Sequence, residues 1–147
     1  MKFIAKHFSE LSTSELYEIL KSRYEIFTLE QKILEQDMDG IDYDCLHCFL
    51  WENGRAVACL RAFYSDGEKT KVKIGRVLTL THGKGHGQLL MECSLAAIRE
   101  KMPHELLYVY AQTQAAGYYE KFGFYAVGEE FDEAGIPHIK MVYQLES

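Results

Sequence analysis

A glycine-rich segment between a strand-like stretch and a helix-like stretch constrains the fold of this chain more than any other feature. It reads His-Gly-Lys-Gly-His-Gly over residues 82–87. Residues 71–80 before it have the apolar pattern of a long strand, and apolar residues recur at helical spacing over residues 88–101, after which Pro103 ends the helix. Glycines let the backbone turn its amides inward, and a helix N-terminus attracts anions. The segment therefore predicts an anion cradle, with a pyrophosphate as the preferred ligand.

Other glycine-rich motifs bind phosphates in a different pattern. A Walker A loop requires Gly-x4-Gly-Lys followed by Ser or Thr, and neither follows Lys84. A dinucleotide fingerprint requires Gly-x-Gly-x-x-Gly and an acidic residue at the end of the next strand. Here the glycines run Gly-x-Gly-x-Gly, and the next predicted strand ends in Ala111-Gln112. A dinucleotide-binding protein is therefore the weaker alternative, and a flexible loop explains the segment taken alone.

The apolar pattern of the whole chain predicts a mixed α/β (α+β) fold around one sheet. Strands are predicted over residues 2–8, 47–51, 56–64, 71–80, 106–111, 124–131 and 137–145, and helices over residues 13–28, 29–35, 88–101 and 114–122. Ser12 and Glu15 have the spacing of a capping box, and Asn53-Gly54 suits a tight hairpin turn. This order predicts a mixed α/β sandwich.

Length and charge narrow the function classes. A chain of 147 residues predicts a single domain spanning residues 1–147. Its formal net charge of −6 argues against a basic face for nucleic acid. Its apolar runs are too short to span a bilayer, and the N-terminus becomes polar within a few residues, unlike a signal peptide. We therefore expect a cytoplasmic protein that binds neither nucleic acid nor membrane.

The four cysteines do not have the pattern of a disulfide framework. Cys45 and Cys48 make a Cys-x-x-Cys pair, but no second pair follows at the spacing that structural zinc requires. The pair also opens an apolar strand, whereas a redox pair precedes a helix. We interpret these residues, with Cys59 and Cys93, as buried or half-buried thiols, and we predict no metal.

Two linked motifs occupy the second half of the chain. The first is His82-x-x-Gly85-x-Gly87, and the second runs from Gln112 to Phe124 as Gln-x-x-Ala-x-x-Tyr-Tyr-x-x-x-Gly-Phe. Together they resemble the GNAT superfamily of acetyl-CoA-dependent N-acetyltransferases. Its pyrophosphate motif is Arg/Gln-x-x-Gly-x-Gly/Ala, and its second signature is Asn-x-x-Ala-x-x-Phe-Tyr-x-x-x-Gly-Phe. The order of strands and helices also matches over nearly the whole chain. The resemblance therefore implies a GNAT-like fold, with a mixed, mostly antiparallel seven-stranded sheet flanked by about four helices.

Further blocks along the chain resemble the ElaA-like branch of that superfamily. They are Arg23-x3-Phe27-x2-Glu30-Gln31, the run Gln-Asp-Met-Asp-Gly at 36–40, His47, Ile74-Gly-Arg-Val77 and Gly135-Ile-Pro-His138. Two features depart from the usual pattern. His82 stands where the superfamily has arginine or glutamine, and the connection between Val77 and the glycines is about two residues shorter than usual.

The resemblance implies acetyl-CoA as a co-substrate and indicates where it binds. Free amides of the strand before the loop would pair with the pantetheine arm, and the loop amides would hold the pyrophosphate. The implied binding residues are Val77, Leu78, Thr79, His82, Gly83, Lys84, Gly85, His86, Gly87, Gln88, Gln112 and Tyr119. The acetyl group would enter a splay between the strands that carry Thr79 and Val109.

The resemblance also implies that an amine attacks the thioester directly within a ternary complex. Tyr119 occupies the superfamily's tyrosine position and would protonate the leaving thiolate, although a core aromatic is the alternative. The amine must be neutral, which requires a base. Glu30 is the leading candidate, followed by His138 and His47. Glu30 is otherwise a solvated charge at a helix end, and His138 otherwise caps the hairpin turn.

Charged residues near the first helix leave further alternatives open. Arg23 and Glu30 are seven residues apart on one predicted helical face, so they could simply pair. Asp37, Asp39 and Asp42 form an acidic loop that either attracts a cationic acceptor or is merely solvated.

The expected partners are acetyl-CoA and an amine acceptor, either a small molecule or a peptide. The sequence does not identify that acceptor, because fold analogy cannot name a substrate. A non-catalytic acyl-CoA-binding or sensor module with the same fold is the alternative function. Exposed strand edges also leave a homodimer open.

Overall fold

The computed structural model describes residues 1–144, which form seven strands and three α-helices. The strands are β1 (Lys2–His7), β2 (Leu46–Glu52), β3 (Arg55–Tyr64), β4 (Lys71–Thr79), β5 (Leu106–Gln112), β6 (Phe124–Glu133) and β7 (Ile136–Tyr143). The helices are α1 (Thr13–Arg23), α2 (His86–Lys101) and α3 (Ala116–Glu120). Short 3₁₀ turns cover Phe8–Glu10, Ile41–Asp44 and Thr113–Ala115.

All seven strands join one mixed sheet in the order β1-β2-β3-β4-β5-β7-β6. Neighbouring strands are antiparallel except for β4 and β5, which are parallel. The parallel pair requires a crossover connection, and α2 supplies it. The predicted mixed, mostly antiparallel seven-stranded sheet is therefore confirmed.

Helices cover both faces of the sheet. Leu90, Met91 and Ile98 of α2 belong to the larger buried cluster, which also contains Cys48 and Leu60. Ile19 of α1 belongs to a second cluster with Phe49 and Cys59. Because side chains alternate along a strand, these two clusters lie on opposite faces. The cysteines behave as predicted, since Cys45, Cys48 and Cys59 are buried free thiols and Cys93 is half-buried.

Two local patterns in the sequence form the structures they predict, the start of α1 and the turn between β2 and β3. The Ser12 hydroxyl accepts a hydrogen bond from the Glu15 amide at 3.0 Å, and the Glu15 carboxylate accepts one from the Ser12 amide at 2.8 Å. Asn53 and Gly54 have φ values of 52° and 74°, as a type I′ hairpin turn requires. The helix start depends on short-range hydrogen bonds and the turn depends on backbone preference, which is why the sequence predicts both.

Two predicted helices differ from the structure. The helix expected over residues 13–28 ends at Arg23 and continues as a π-helical turn over Tyr24–Glu30, where the Gln31 amide donates to the Ile26 carbonyl. The helix expected over residues 29–35 does not form, because Lys32 adopts a left-handed conformation with φ of 56° and ends the turn. Residues 1–144 thus contain three α-helices rather than about four.

Smaller differences occur toward the C-terminus. The helix expected over residues 114–122 is a 3₁₀ turn followed by the short α3. Leu145, the predicted end of the last strand, lies outside the described residues. Among residues 1–144, no helix has the length and apolar composition needed to cross a bilayer.

Candidate functional site

Strands β4 and β5 pair over only part of their length. Their parallel register runs from Lys71 opposite Leu106 to Ile74 opposite Val109, and the described pairing stops there. Beyond that point β4 continues to Thr79 alongside β3, and β5 continues to Gln112 alongside β7. A V-shaped gap therefore opens between the two central strands, where the splay was expected.

A β-bulge bends β4 at the start of this gap. Arg76 and Val77 together lie opposite the single residue Leu60 of β3. Arg76 has a φ of 53°, in the left-handed region that costs a residue with a β-carbon about 1 kcal/mol. The extra residue increases the local twist of β4 and directs the strand away from β5.

Two cavities meet at the gap. The first, here the loop cavity, has a volume of about 670 Å³ and is lined by the glycine-rich loop and the end of β4. The second, here the His138 cavity, has a volume of about 600 Å³ and contacts β5, the β6–β7 turn and the segment before β2. Residues common to both linings are Gln31, Val77, Ala115 and Tyr119.

Most of the predicted cofactor-binding residues surround the loop cavity. Those that line it are Val77, Leu78, Thr79, His82, Gly83, Gly85, His86, Gly87, Gln88 and Tyr119. Lys84 is exposed within the same loop. Gln112 lines the His138 cavity instead, and its side-chain amide donates to Gln31 Oε1 at 2.9 Å.

The loop meets the N-terminus of α2 in a conformation that suits an anion. Gly83 and Gly85 have φ values of 77° and 74°, and Gly85 is the N-cap residue of α2. His86 is buried, and its Nδ1 atom has no hydrogen-bond partner among the described residues. A helix N-terminus with free amides, glycines in the left-handed region and an unpartnered imidazole nitrogen fit a pyrophosphate group.

Gly87 lies against the ring of Tyr118. A β-carbon placed at Gly87 would be 3.2 Å from Tyr118 Cε1, which is a tight contact. The Tyr118 hydroxyl donates to the Gly87 carbonyl at 2.7 Å. The first turn of α2 and the start of α3 are thus fastened together, and this close approach accounts for glycine at position 87.

Tyr119 occupies the junction of the two cavities. Its side chain is 5% exposed, packs against the rings of Tyr118 and Phe124, and lines both cavities. Burial, with a smaller effect from Tyr118, raises the pKa of its phenol far above the usual value. The hydroxyl is therefore protonated at neutral pH and can act as a proton donor.

His138 faces the second cavity with one ring nitrogen committed. Its Nδ1 atom lies 2.7 Å from the Ile136 carbonyl, which can only accept, so Nδ1 carries the proton. In the neutral ring Nε2 then has a lone pair, and it lies 3.5 Å from Glu133 Oε2. The Glu133 carboxylate would compensate the charge of the ring once Nε2 has accepted a proton.

The other two candidate bases lie elsewhere. Glu30 is exposed and lines the loop cavity, whereas His138 lines the other cavity. His47 is buried, and its Nε2 atom lies 2.9 Å from the Asp42 carbonyl. Burial lowers the pKa of His47, which fits a neutral structural side chain.

The expectation that Arg23 pairs with Glu30 is wrong. The π-helical turn changes the spacing between them, and Arg23, only 1% exposed, donates to Asp37 at 2.8 Å and to Asp42 at 2.7 Å. The acidic loop is accordingly not a solvated one, and its carboxylates are already neutralised by arginines. It therefore offers little net attraction to a cationic acceptor.

Three arginines and three aspartates alternate in a closed ring of ion pairs. In order around this ion-pair ring, the contacts are Arg23–Asp37 (2.8 Å), Asp37–Arg76 (2.8 Å), Arg76–Asp39 (3.4 Å), Asp39–Arg61 (2.6 Å), Arg61–Asp42 (3.1 Å) and Asp42–Arg23 (2.7 Å). The ring ties α1, β3 and β4 to residues 37–42, part of which lines the His138 cavity. No local sequence pattern reveals the ring, because its members are up to 53 positions apart.

Asp42, Cys45 and His47 offer ligand atoms within 4.8 Å of one another, but their chemistry disfavours a metal. Both carboxylate oxygens of Asp42 accept hydrogen bonds from arginines. Burial raises the pKa of the Cys45 thiol to about 12, and that thiol donates to the Ile41 carbonyl at 3.3 Å. The cluster is explained by packing and ion pairing.

This chain is similar to known proteins over nearly its whole length. The sequence matches the model of the acetyltransferase (GNAT) domain over residues 10–145. It is 38% identical to the protein ElaA of Escherichia coli over 143 residues, covering 95% of this chain and 94% of ElaA.

Solved structures extend the likeness to three dimensions. The crystal structure of E. coli ElaA has a TM-score of 0.89 at 37% identity, and that of an acyl-CoA N-acyltransferase from Pseudomonas aeruginosa has 0.88 at 36%. Each match covers 97% of this chain and 99% of the other. An aminoglycoside 6′-N-acetyltransferase complexed with coenzyme A shares the fold alone, with a TM-score of 0.69 at 12% identity and 95% coverage of both chains. With its family signatures, its sheet order and these relatives in agreement, this chain belongs to the GNAT acetyltransferase family.

Proposed function

We propose that this protein is an N-acetyltransferase that moves the acetyl group of acetyl-CoA to a primary amine. One observation carries the proposal: the gap between β4 and β5 joins the loop cavity to the His138 cavity, and Tyr119 lies where they meet. A donor in one cavity and an acceptor in the other would react across this junction. The family relationship supports an acyl-CoA donor.

The acyl donor would bind along the loop cavity. The amides of residues 82–88 are suited to the pyrophosphate because they surround the N-terminus of α2. Val77, Leu78 and Thr79 lie on the edge of β4 that leaves β5, so their free backbone groups can pair with an extended pantetheine arm. The thioester would then lie near Tyr119.

The acetyl group would be transferred in one displacement within a ternary complex. The amine nitrogen forms a bond to the acetyl carbon, and the carbon–sulfur bond breaks to release the thiolate. Tyr119 donates its phenolic proton to that thiolate, while the base accepts the proton that the amine loses. A backbone amide at the splay stabilises the oxyanion.

His138 is a better candidate for the base than Glu30. His138 lines the cavity that would hold the acceptor and has only Nδ1 bonded to the Ile136 carbonyl, whereas Glu30 lines the cavity that would hold the donor. His138→Gln is expected to lower kcat by roughly two orders of magnitude. Glu30→Gln, the control, should change kcat less than about threefold. Equal losses in the two variants, measured by thiol release, would contradict the assignment to His138.

The first test is calorimetric titration of the purified protein with acetyl-CoA, with free CoA and NAD as comparisons. We expect micromolar binding of acetyl-CoA and no binding of NAD. Thiol release measured over a panel of amines then separates an enzyme from a non-catalytic acyl-CoA sensor, which would bind the donor without turnover. The absence of acetyl-CoA binding would reject both, and would mean that His82 and the short loop had lost the cradle.

A further inference from the structure

The bulge in β4 has an unusual residue at its bent position. In a bulge whose first residue is left-handed, that residue is normally glycine. Here it is Arg76 with φ of 53°, although Gly75 directly precedes it. A long side chain in this conformation persists only where the surroundings hold it.

The guanidinium of Arg76 provides such a hold. Its Nε atom donates to Asp37 Oδ1 at 2.8 Å, and its Nη2 atom donates to the Asp37 carbonyl at 2.9 Å. A third, longer contact reaches Asp39. Asp37 is fixed in turn, because its other carboxylate oxygen accepts from the buried Arg23 at 2.8 Å. The bulge is therefore tied to the interior of the fold through Asp37.

We propose that Arg76 is a positioning residue, whose bonds to Asp37 hold the bulge that separates β4 from β5. The role in catalysis rests on the acyl-transfer function proposed above, since the separated edge is where the donor would bind. Without this clamp, β4 returns to a regular strand and its ladder with β5 extends past Ile74 and Val109. The gap then narrows beside Val77, and the donor binds weakly.

Two substitutions at the same position separate this role from simple loss of an ion pair. Arg76→Met removes the clamp and keeps a β-carbon at a left-handed residue, so we expect acetyl-CoA to bind roughly tenfold more weakly or worse. Arg76→Gly removes the same ion pairs but favours the left-handed conformation, so it should recover most of the lost affinity. Arg55→Met is the matched control, because Arg55 is 34% exposed, against 31% for Arg76, and pairs with Glu25 away from the gap.

Hydrogen exchange gives a second readout that needs no acyl donor. The amides of residues 76–79 should exchange more slowly in Arg76→Met as the ladder extends, and at the wild-type rate in Arg76→Gly. The proposal would be overturned if Arg76→Met showed the wild-type exchange rate and the wild-type affinity for acetyl-CoA. It would also be overturned if Arg76→Met and Arg76→Gly lost the same amount of acetyl-CoA affinity. If the wild-type protein does not bind acetyl-CoA, the proposed function fails while the exchange comparison still decides the role of Arg76.

Discussion

At the scale of single residues, neighbouring tyrosines of α3 have different surroundings. Tyr118 donates to the Gly87 carbonyl and fastens α3 to the loop. Tyr119 points to the junction of the two cavities, and burial keeps its phenol protonated. Successive helical residues point about 100° apart, so adjacent residues of one type can serve a structural and a chemical role.

Replacement of Tyr119 should therefore lower kcat, whereas replacement of Tyr118 should raise the Kd of acetyl-CoA. Tyr119→Phe removes the proposed acid, and we expect kcat to fall by about 10²–10⁴-fold with little change in the Kd of acetyl-CoA. Tyr118→Phe removes the bond to Gly87 and should mainly weaken acetyl-CoA binding. Steady-state thiol release and calorimetry on both variants provide the measurement. An unchanged kcat in Tyr119→Phe at saturating substrate would exclude the acid role.

At the scale of elements, the site depends on how α2, α3 and β4 meet. The first turn of α2 approaches α3 so closely that a β-carbon at Gly87 would lie 3.2 Å from the Tyr118 ring. The same β-carbon would lie 3.7 Å from Thr79 Cγ2 at the end of β4. The bulge at Arg76 sets the direction of β4 toward this point. A displacement of α2, α3 or β4 would therefore also move the glycine-rich loop.

Gly87→Ala tests this close approach. The added methyl group would lie 3.2 Å from Tyr118 Cε1, so the ring must move and its bond to the Gly87 carbonyl should weaken. We expect acetyl-CoA affinity to fall roughly tenfold, the size of effect given by about 1.4 kcal/mol. Gly117→Ala in α3 is the control, because no atom lies within 4 Å of the added carbon, and it should preserve affinity and slightly raise Tm. Equal affinity in the two variants would contradict the prediction.

At the scale of the whole molecule, the ion-pair ring connects segments that are distant in sequence. Hydrogen bonds from Arg61 lower the pKa of Asp39. Burial by itself would raise the pKa of Asp42, but the hydrogen bond and charge of Arg23, with the charge of Arg61, lower it overall. Both carboxylates are thus more acidic in the folded protein than in the unfolded chain, and the ring stabilises the fold only while they are ionised.

Stability should therefore decline in acid. Because the folded-state pKa values lie below the unfolded value of 3.8, the contribution is complete well above pH 4 and is lost as the pH falls below it. Urea unfolding between pH 7 and pH 3 measures this loss.

Asp42→Asn identifies the source of the acid sensitivity. It leaves Arg23 and Arg61 without full compensation, so we expect about 3 kcal/mol less stability at pH 7 and a shallower decline in acid. A decline as steep as that of the wild type would show that the acid sensitivity arises outside the ring.

The sequence predicts those parts of the site that depend on residues close together in the chain, and it fails where distant residues interact. The glycine-rich loop, the motif around Tyr119 and the Asn53-Gly54 turn are local patterns that the sequence alone reveals. The helix over residues 29–35 was predicted wrongly because its end depends on the left-handed Lys32 and on a π-helical turn, which apolar spacing does not report. The sequence ranks Glu30 ahead of His138 as the candidate base, and that order stays a prediction, because spacing does not show which cavity a side chain lines.

Residues close together in the chain are enough to indicate the family, the succession of strands along the chain and the glycine-rich loop at the start of α2, because periodicity, turn chemistry and short motifs are local properties. Tertiary structure alone decided that β4 separates from β5 at a bulge, that the two cavities meet at Tyr119, and that six charged residues close into a ring. These features arise where distant segments come into contact, and their energies depend on burial and angstrom-scale geometry. Such quantities exist only once the chain has folded.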